Sequence, residues 1–179
     1  MKISRTALLA SLGGIAVAAK LAQGPATAVA STGEAQASAA GPLPDGDGYA
    51  VIHDDATWRA KLSPESYRVL RHEATEMPGS SPLLAEHRPG TFDCAGCAQP
   101  LFDADKKFES GTGWPSFSAP KAGAIDTTTD RSMFMARTEV HCSRCGGHLG
   151  HVFDDGPKPT GLRYCMNGAA LAFEPGDHA

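Results

Sequence analysis

Apolar residues in this chain come mostly in short runs cut by glycine and proline. Phe92, Leu101 with Phe102, Phe117, residues 132–140, Val152 with Phe153, residues 162–166 and residues 171–173 are brief apolar or alternating stretches between turn-rich segments. That pattern predicts short antiparallel strands. One stretch reads differently. Ser63-Pro64-Glu65 places a capping hydroxyl, a proline at the first helical position and a carboxylate in the first turn, the signature of a helix start. Tyr67, Leu70 and Ala74 follow at three- and four-residue spacing, so the predicted helix runs to about Glu76 with one buried stripe and ends at Met77-Pro78-Gly79. A shorter helical or turn segment precedes it at Asp54 to Trp58. No repeat and no second shift of composition follows, so one mainly β domain with short N-terminal helices is expected over residues 51–175, with a tail at 176–179.

The first thirty residues carry Lys2, Arg5 and Lys20 but no acidic side chain, and residues 6–19 form an apolar stretch of 14. This is shorter than the roughly 18 to 20 residues a membrane-spanning helix needs. Small-residue triplets at Ala26-Thr27-Ala28 and Ala28-Val29-Ala30 suit a peptidase, so residues 1–30 read as a cleavable export signal, with an uncleaved tether as the alternative. Residues 31–50 are small, polar and poor in aromatics, a linker composition. The expected location is periplasmic or secreted, and Arg5 without a second arginine leaves the export route open.

Charge narrows the partners. The chain holds 16 basic and 20 acidic side chains, net −4. Losing the signal removes three positive charges and no negative one, leaving 13 basic and 20 acidic, net −7. A nucleic-acid surface or an anionic membrane is a poor match for such a chain.

Four of the five cysteines form two matched pairs, Cys94-Ala-Gly-Cys97 and Cys142-Ser-Arg-Cys145, 44 residues apart. A two-residue spacer lets a tight turn point both sulfurs at one ion, so the pairs predict a four-thiolate structural zinc site. Gly96, Gly146 and Gly147 are expected to relieve the turns. Disulfides between the pairs are the alternative in an oxidising compartment. Four thiolates close a tetrahedral ion, leaving no open position for Lewis-acid chemistry.

Cys165 is left over, in Arg163-Tyr-Cys-Met-Asn167. A lone cysteine is often apolar filler. On a strand, however, Arg163 and Asn167 share its face, and a guanidinium beside the sulfur favours the nucleophilic thiolate. His148 and His151 follow the second cysteine pair and are spare, available for acid–base work or as solvated surface.

Ser110-Gly-Thr-Gly-Trp-Pro-Ser-Phe117, His148-Leu-Gly-His-Val-Phe153, Asp155-Gly-Pro, Pro159-Thr-Gly161 and Arg163-Tyr-Cys-Met-Asn167 together closely resemble the B-type peptide-methionine (R)-S-oxide reductases over roughly residues 54 to 175. Trp58, Leu62-Ser-Pro-Glu65 and Thr75-Glu76 also fit. The resemblance implies two antiparallel sheets in a sandwich-like or tent-shaped fold. It implies attack by Cys165 on the sulfoxide sulfur, leaving a sulfenic acid. His148 and His151 would supply the proton, Asn167 would orient that network, and Arg163 would favour the thiolate. Asp155 would hold a catalytic side chain or Arg163, and Trp114 and Phe117 would contact the substrate.

Thr112 departs from the family pattern, because many members carry a resolving cysteine there. Gly168 likewise stands where serine is common. With four cysteines committed to metal, no second free thiol remains, so an external thiol, from a thioredoxin-like protein or a small molecule, is expected to reduce the sulfenic acid. The competing readings are a zinc-ribbon binding module for protein or nucleic acid, and a disulfide-stapled exported scaffold.

Overall fold

The computed structural model describes residues 48–132 and 135–176. The expected signal at 1–30, most of the linker at 31–50 and most of the tail at 176–179 lie outside the described residues. No helix among the described residues is long and apolar enough to cross a membrane.

Two short helices lead the domain. Asp54 caps α1 (Asp55–Lys61), its carboxylate accepting the Thr57 N–H at 2.8 Å. Ser63 caps α2 (Pro64–His72) through the Ser66 N–H, with proline in the first turn as predicted. The helix stops four residues before the predicted end, at Glu73, whose φ of 51° is left-handed. The cause is tertiary. Residues 74–76 leave the helix so that Glu76 reaches across the domain, accepting the N–H groups of Gly168 at 2.6 Å and Ala169 at 2.8 Å on its carboxylate.

Nine strands follow: β1 (Gly90–Cys94), β2 (Pro100–Asp103), β3 (Lys107–Phe108), β4 (Ser116–Phe117), β5 (Ile125–Asp130), β6 (Arg137–Cys142), β7 (His148–Phe153), β8 (Arg163–Met166) and β9 (Leu171–Pro175). They form two antiparallel sheets, one ordered β2-β1-β9 and one ordered β3-β4-β8-β7-β6-β5. The two-sheet fold and the N-terminal helices match the expectation. Two details do not. Among the described residues of the run at 132–140 the strand begins at Arg137, and β5 lacks the apolar alternation that would have disclosed it. Its central residues are exposed, so pairing with β6 rather than burial holds it.

Between the sheets lies an aromatic core. Phe102 stacks on Phe117 at 4.3 Å between ring centroids, and Phe92 meets Phe117 edge-on at 5.0 Å. Val140, Leu149 and Met166 line the six-stranded sheet's inner side, and Trp58, Val69 and Leu70 bring the helices onto the same core. Burying each such side chain contributes about 1.5–3 kcal/mol.

Candidate active site and metal centre

One rung of the six-stranded sheet carries the polar chemistry. Ser116 on β4 pairs with Cys165 on β8, Cys165 with His151 on β7, His151 with Glu139 on β6, and Glu139 with Thr128 on β5. Residues directly opposite in a ladder share a face, so these five side chains line one side of the sheet. Phe117 follows Ser116 and must point the other way. It is fully enclosed in the aromatic core, which corrects the expectation that it contacts substrate.

His148 joins this face through an irregularity. Residues three apart on an uninterrupted strand point to opposite sides, yet the rings of His148 and His151 lie 5.5 Å apart. The ladder with β6 pairs His141 with His148 but Val140 with Gly150, so Leu149 is an extra residue that resets the alternation. The bulge brings both imidazoles together and sends Leu149 into the core.

A carboxylate holds each imidazole. His148 Nδ1 is 2.7 Å from Glu139 Oε1, and its Nε2 is buried without a partner. His151 Nε2 lies 2.8 Å from Asp130 Oδ2, which also accepts from Arg137 at 2.6 Å. Burial pushes the His151 imidazole below the ordinary histidine value, against the opposing pull of Asp130. Burial alone would raise the Glu139 carboxyl, but the hydrogen bond with His148 and the nearby imidazoles hold it below the ordinary range.

Arg163 stands two residues before Cys165 on β8. Its Nε and Nη2 grip both carboxylate oxygens of Asp155 at 2.8 Å, and its guanidinium covers the Phe153 ring at 4.5 Å. The hydrogen bonds to Asp155 hold the Arg163 guanidinium above the ordinary arginine value. Asn167 is fastened elsewhere: its Nδ2 donates to the Leu149 carbonyl at 3.1 Å, and its Oδ1 accepts the Glu76 N–H at 3.0 Å. It clamps the bulge and hydrogen-bonds to neither imidazole. The Trp114 indole donates to the Glu76 carbonyl at 3.2 Å and is half-buried.

The two cysteine pairs meet at one point. Cys94 ends β1 and Cys142 ends β6, and matching turn bonds follow, Ala98 N to Cys94 O and Gly146 N to Cys142 O, each 2.8 Å. Gly146 takes the left-handed position in one turn with φ 69°, and Ala98 takes it in the other with φ 56°. Gly96 is thus not the residue that relieves the first turn. The four sulfurs lie within 4.8 Å of one another, with Cys94 to Cys145 at 3.7 Å and Cys97 to Cys142 at 3.6 Å. None is disulfide-bonded, against the stapled-scaffold alternative. A tetrahedral ion with bonds of about 2.3 Å sets its sulfurs about 3.8 Å apart, so the cluster fits a thiolate-bound metal ion.

The SelR domain family matches residues 62–175. The peptide methionine sulfoxide reductase MsrB of Leptospira interrogans serogroup Icterohaemorrhagiae serovar Lai is 53% identical over 127 residues, covering 70% of this chain and 97% of that protein. The protein of the same name from Bradyrhizobium diazoefficiens is 56% identical over 126 residues, covering 70% and 91%. That from Thiobacillus denitrificans is 55% identical over 124, covering 69% and 94%. This chain belongs to the MsrB family.

Two groups in this MsrB chain, Asp130 and Glu139, escaped the sequence reading, and so did the role of a third, Glu76. Asp130 and Glu139 orient the histidines, and Glu76 ties the post-helical segment to the turn after Cys165. Glu139 left a trace, a charged residue flanking the apolar Val140 on a strand. Asp130, in the exposed sequence Ile-Asp-Thr-Thr-Thr-Asp, left none.

Proposed function

We propose that this MsrB enzyme reduces protein-bound methionine (R)-sulfoxide through a sulfenic acid on Cys165, without a resolving cysteine. The observation that carries the reading is the rung placing Cys165 beside His151, with Glu139 one strand further on and Arg163 held by Asp155. The Cys165 thiolate attacks the sulfoxide sulfur while the oxygen gains a proton from the face formed by His148 and His151. Methionine departs, and the oxygen ends on Cys165 as sulfenic acid. Two external thiols then finish the cycle. The first forms a mixed disulfide with Cys165 and releases water, and the second frees the Cys165 thiol as the two external sulfurs join.

Trp114 would wall the site against the substrate methyl group, an aromatic face suited to a polarised sulfur. Cys94, Cys97, Cys142 and Cys145 would hold zinc, whose role is to cross-link β1 to β6. Residues 1–30 would direct export, so repair would occur in the periplasm or outside the cell, with an exported thioredoxin-like protein or a small thiol as reductant.

The test is turnover of separated R and S epimers of a peptidyl methionine sulfoxide with dithiothreitol, beside Cys165→Ser. Selective reduction of the R epimer, lost in the variant with metal content and circular dichroism retained, supports the reading. Turnover persisting in Cys165→Ser sinks it. Folded, metal-loaded protein inactive on both epimers would instead favour a zinc-ribbon binding module.

A further inference from the structure

The side of Cys165 away from the histidines is lined by hydroxyl groups. Thr112 Oγ1 stands 3.9 Å from Cys165 Sγ. Behind it, Ser110 Oγ lies 2.9 Å from Thr112 Oγ1 and 2.7 Å from Ser116 Oγ, and the Thr112 N–H also points to Ser110 Oγ at 3.4 Å. Ser116 is buried and is the cross-strand partner of Cys165 on β4, with the Trp114 carbonyl 3.2 Å from its hydroxyl. Three hydroxyls thus run as a chain that ends at the reactive sulfur.

Hydroxyl protons rotate to suit their partners. A carbonyl only accepts, so the bond to Trp114 takes the Ser116 proton, Ser110 donates to Ser116, and the Thr112 proton can turn from Ser110 toward the group on Cys165. A gap of 3.9 Å is long for a bond to sulfur but suits an oxygen standing between. An S–O bond of about 1.7 Å followed by an O–H···O bond of about 2.8 Å spans that gap when the angle at the oxygen is about 120°. The geometry therefore matches the sulfenic acid better than the thiol.

We infer that the Thr112 hydroxyl, held by Ser110 and Ser116, is the hydrogen-bond donor that assists reduction of the Cys165 sulfenic acid by an external thiol. The inference rests on the sulfenic acid chemistry proposed above. In the step it assists, the thiol loses its proton, the resulting thiolate sulfur bonds to Cys165 Sγ, and the S–O bond breaks. The oxygen leaves with the S–O electron pair as hydroxide and becomes water by taking up the proton that the thiol released. Charge grows on that oxygen as the bond stretches, and a donor already aimed there stabilises it. Thr112 is then a catalytic residue for the second half of the cycle, and Ser110 and Ser116 are positioning residues.

The experiment separates the two halves. Without thiol, protein mixed with excess peptidyl methionine sulfoxide yields methionine and an enzyme-bound sulfenic acid, the latter read by mass spectrometry after dimedone trapping. Dithiothreitol is then added and loss of the trappable species is timed. Thr112→Val, which keeps the shape and removes the hydroxyl, is expected to form one methionine per chain and lose its sulfenic acid at least about tenfold more slowly. Thr112→Ser is expected to restore the rate, and Ser110→Ala to slow it less than Thr112→Val does. Wild-type resolution in Thr112→Val overturns the inference, as does failure of Thr112→Ser to restore the rate. A burst in the valine variant shows that its site is folded. Absence of a burst from the wild-type enzyme would count against the Cys165 chemistry itself.

Discussion

His148 and His151 stand three residues apart on one strand, yet their rings meet at 5.5 Å. Leu149 makes this happen by entering the ladder unpaired, and Asn167 pins the bulge by donating to the Leu149 carbonyl. The face that carries both imidazoles therefore depends on a backbone irregularity.

Gly150 closes that irregularity against β8. A Cβ at this position would sit 2.1 Å from the Cys165 carbonyl oxygen. Gly150→Ala must push β7 from β8, and overpacking of this kind costs about 1–3 kcal/mol. The expected outcome is a lower midpoint in urea and a large loss of turnover in the protein that remains folded. A variant with wild-type stability would show that the two strands are not so closely held.

Glu139 ties His148 in place, and its folded pKa is depressed. The stability it contributes is present above the unfolded carboxyl value of about 4.3 and is lost as pH falls through the lower folded value. Glu139→Gln should flatten the acid limb of a melting-temperature curve and reduce kcat more than it raises KM. An unchanged acid limb would remove Glu139 from the acid response.

Asp130 opposes the effect of burial on His151. Because a buried imidazole is harder to protonate in the folded chain, this group costs stability as pH falls below the unfolded histidine value of about 6.5. Asp130→Asn takes away the pull toward protonation, so the His151 titration followed by NMR should move further down. The associated limb of the kcat profile should move to lower pH with it. A shift upward, or none, would contradict the pairing.

Metal removal should act on stability first. The four cysteines cluster where the turns after β1 and β6 meet, so chelation or Cys97→Ser should release one metal ion per chain and lower the melting temperature by about ten degrees or more, roughly several kcal/mol. Activity should fall in step with the folded fraction. Full activity in metal-free, fully folded protein would argue against a structural ion.

Much of the fold and of the residues gathered at the candidate site is legible in the sequence. Cys165 with Arg163, the two cysteine pairs, the capped helix start at Ser63 and most of the strands announce themselves through local chemistry and spacing. Other parts were not readable because their causes are long-range. Glu76 pulls the chain out of α2 only when Gly168 and Ala169 are there to meet it. Asp130 lies on an edge strand whose sequence has no buried period, and Phe117 faces the core because Ser116 takes the position opposite Cys165.

What the sequence determined by itself is therefore the inventory: which residues can ligate, attack, cap or turn, since these follow from side-chain chemistry and short spacings. What the tertiary structure decided is which of them share a face. One added residue in a ladder reverses the side to which everything beyond it points, and Leu149 is such a residue. Its effect depends on pairing with a strand distant in the chain, so only the assembled sheet could put both histidines on the face that carries Cys165 and send Phe117 away from it.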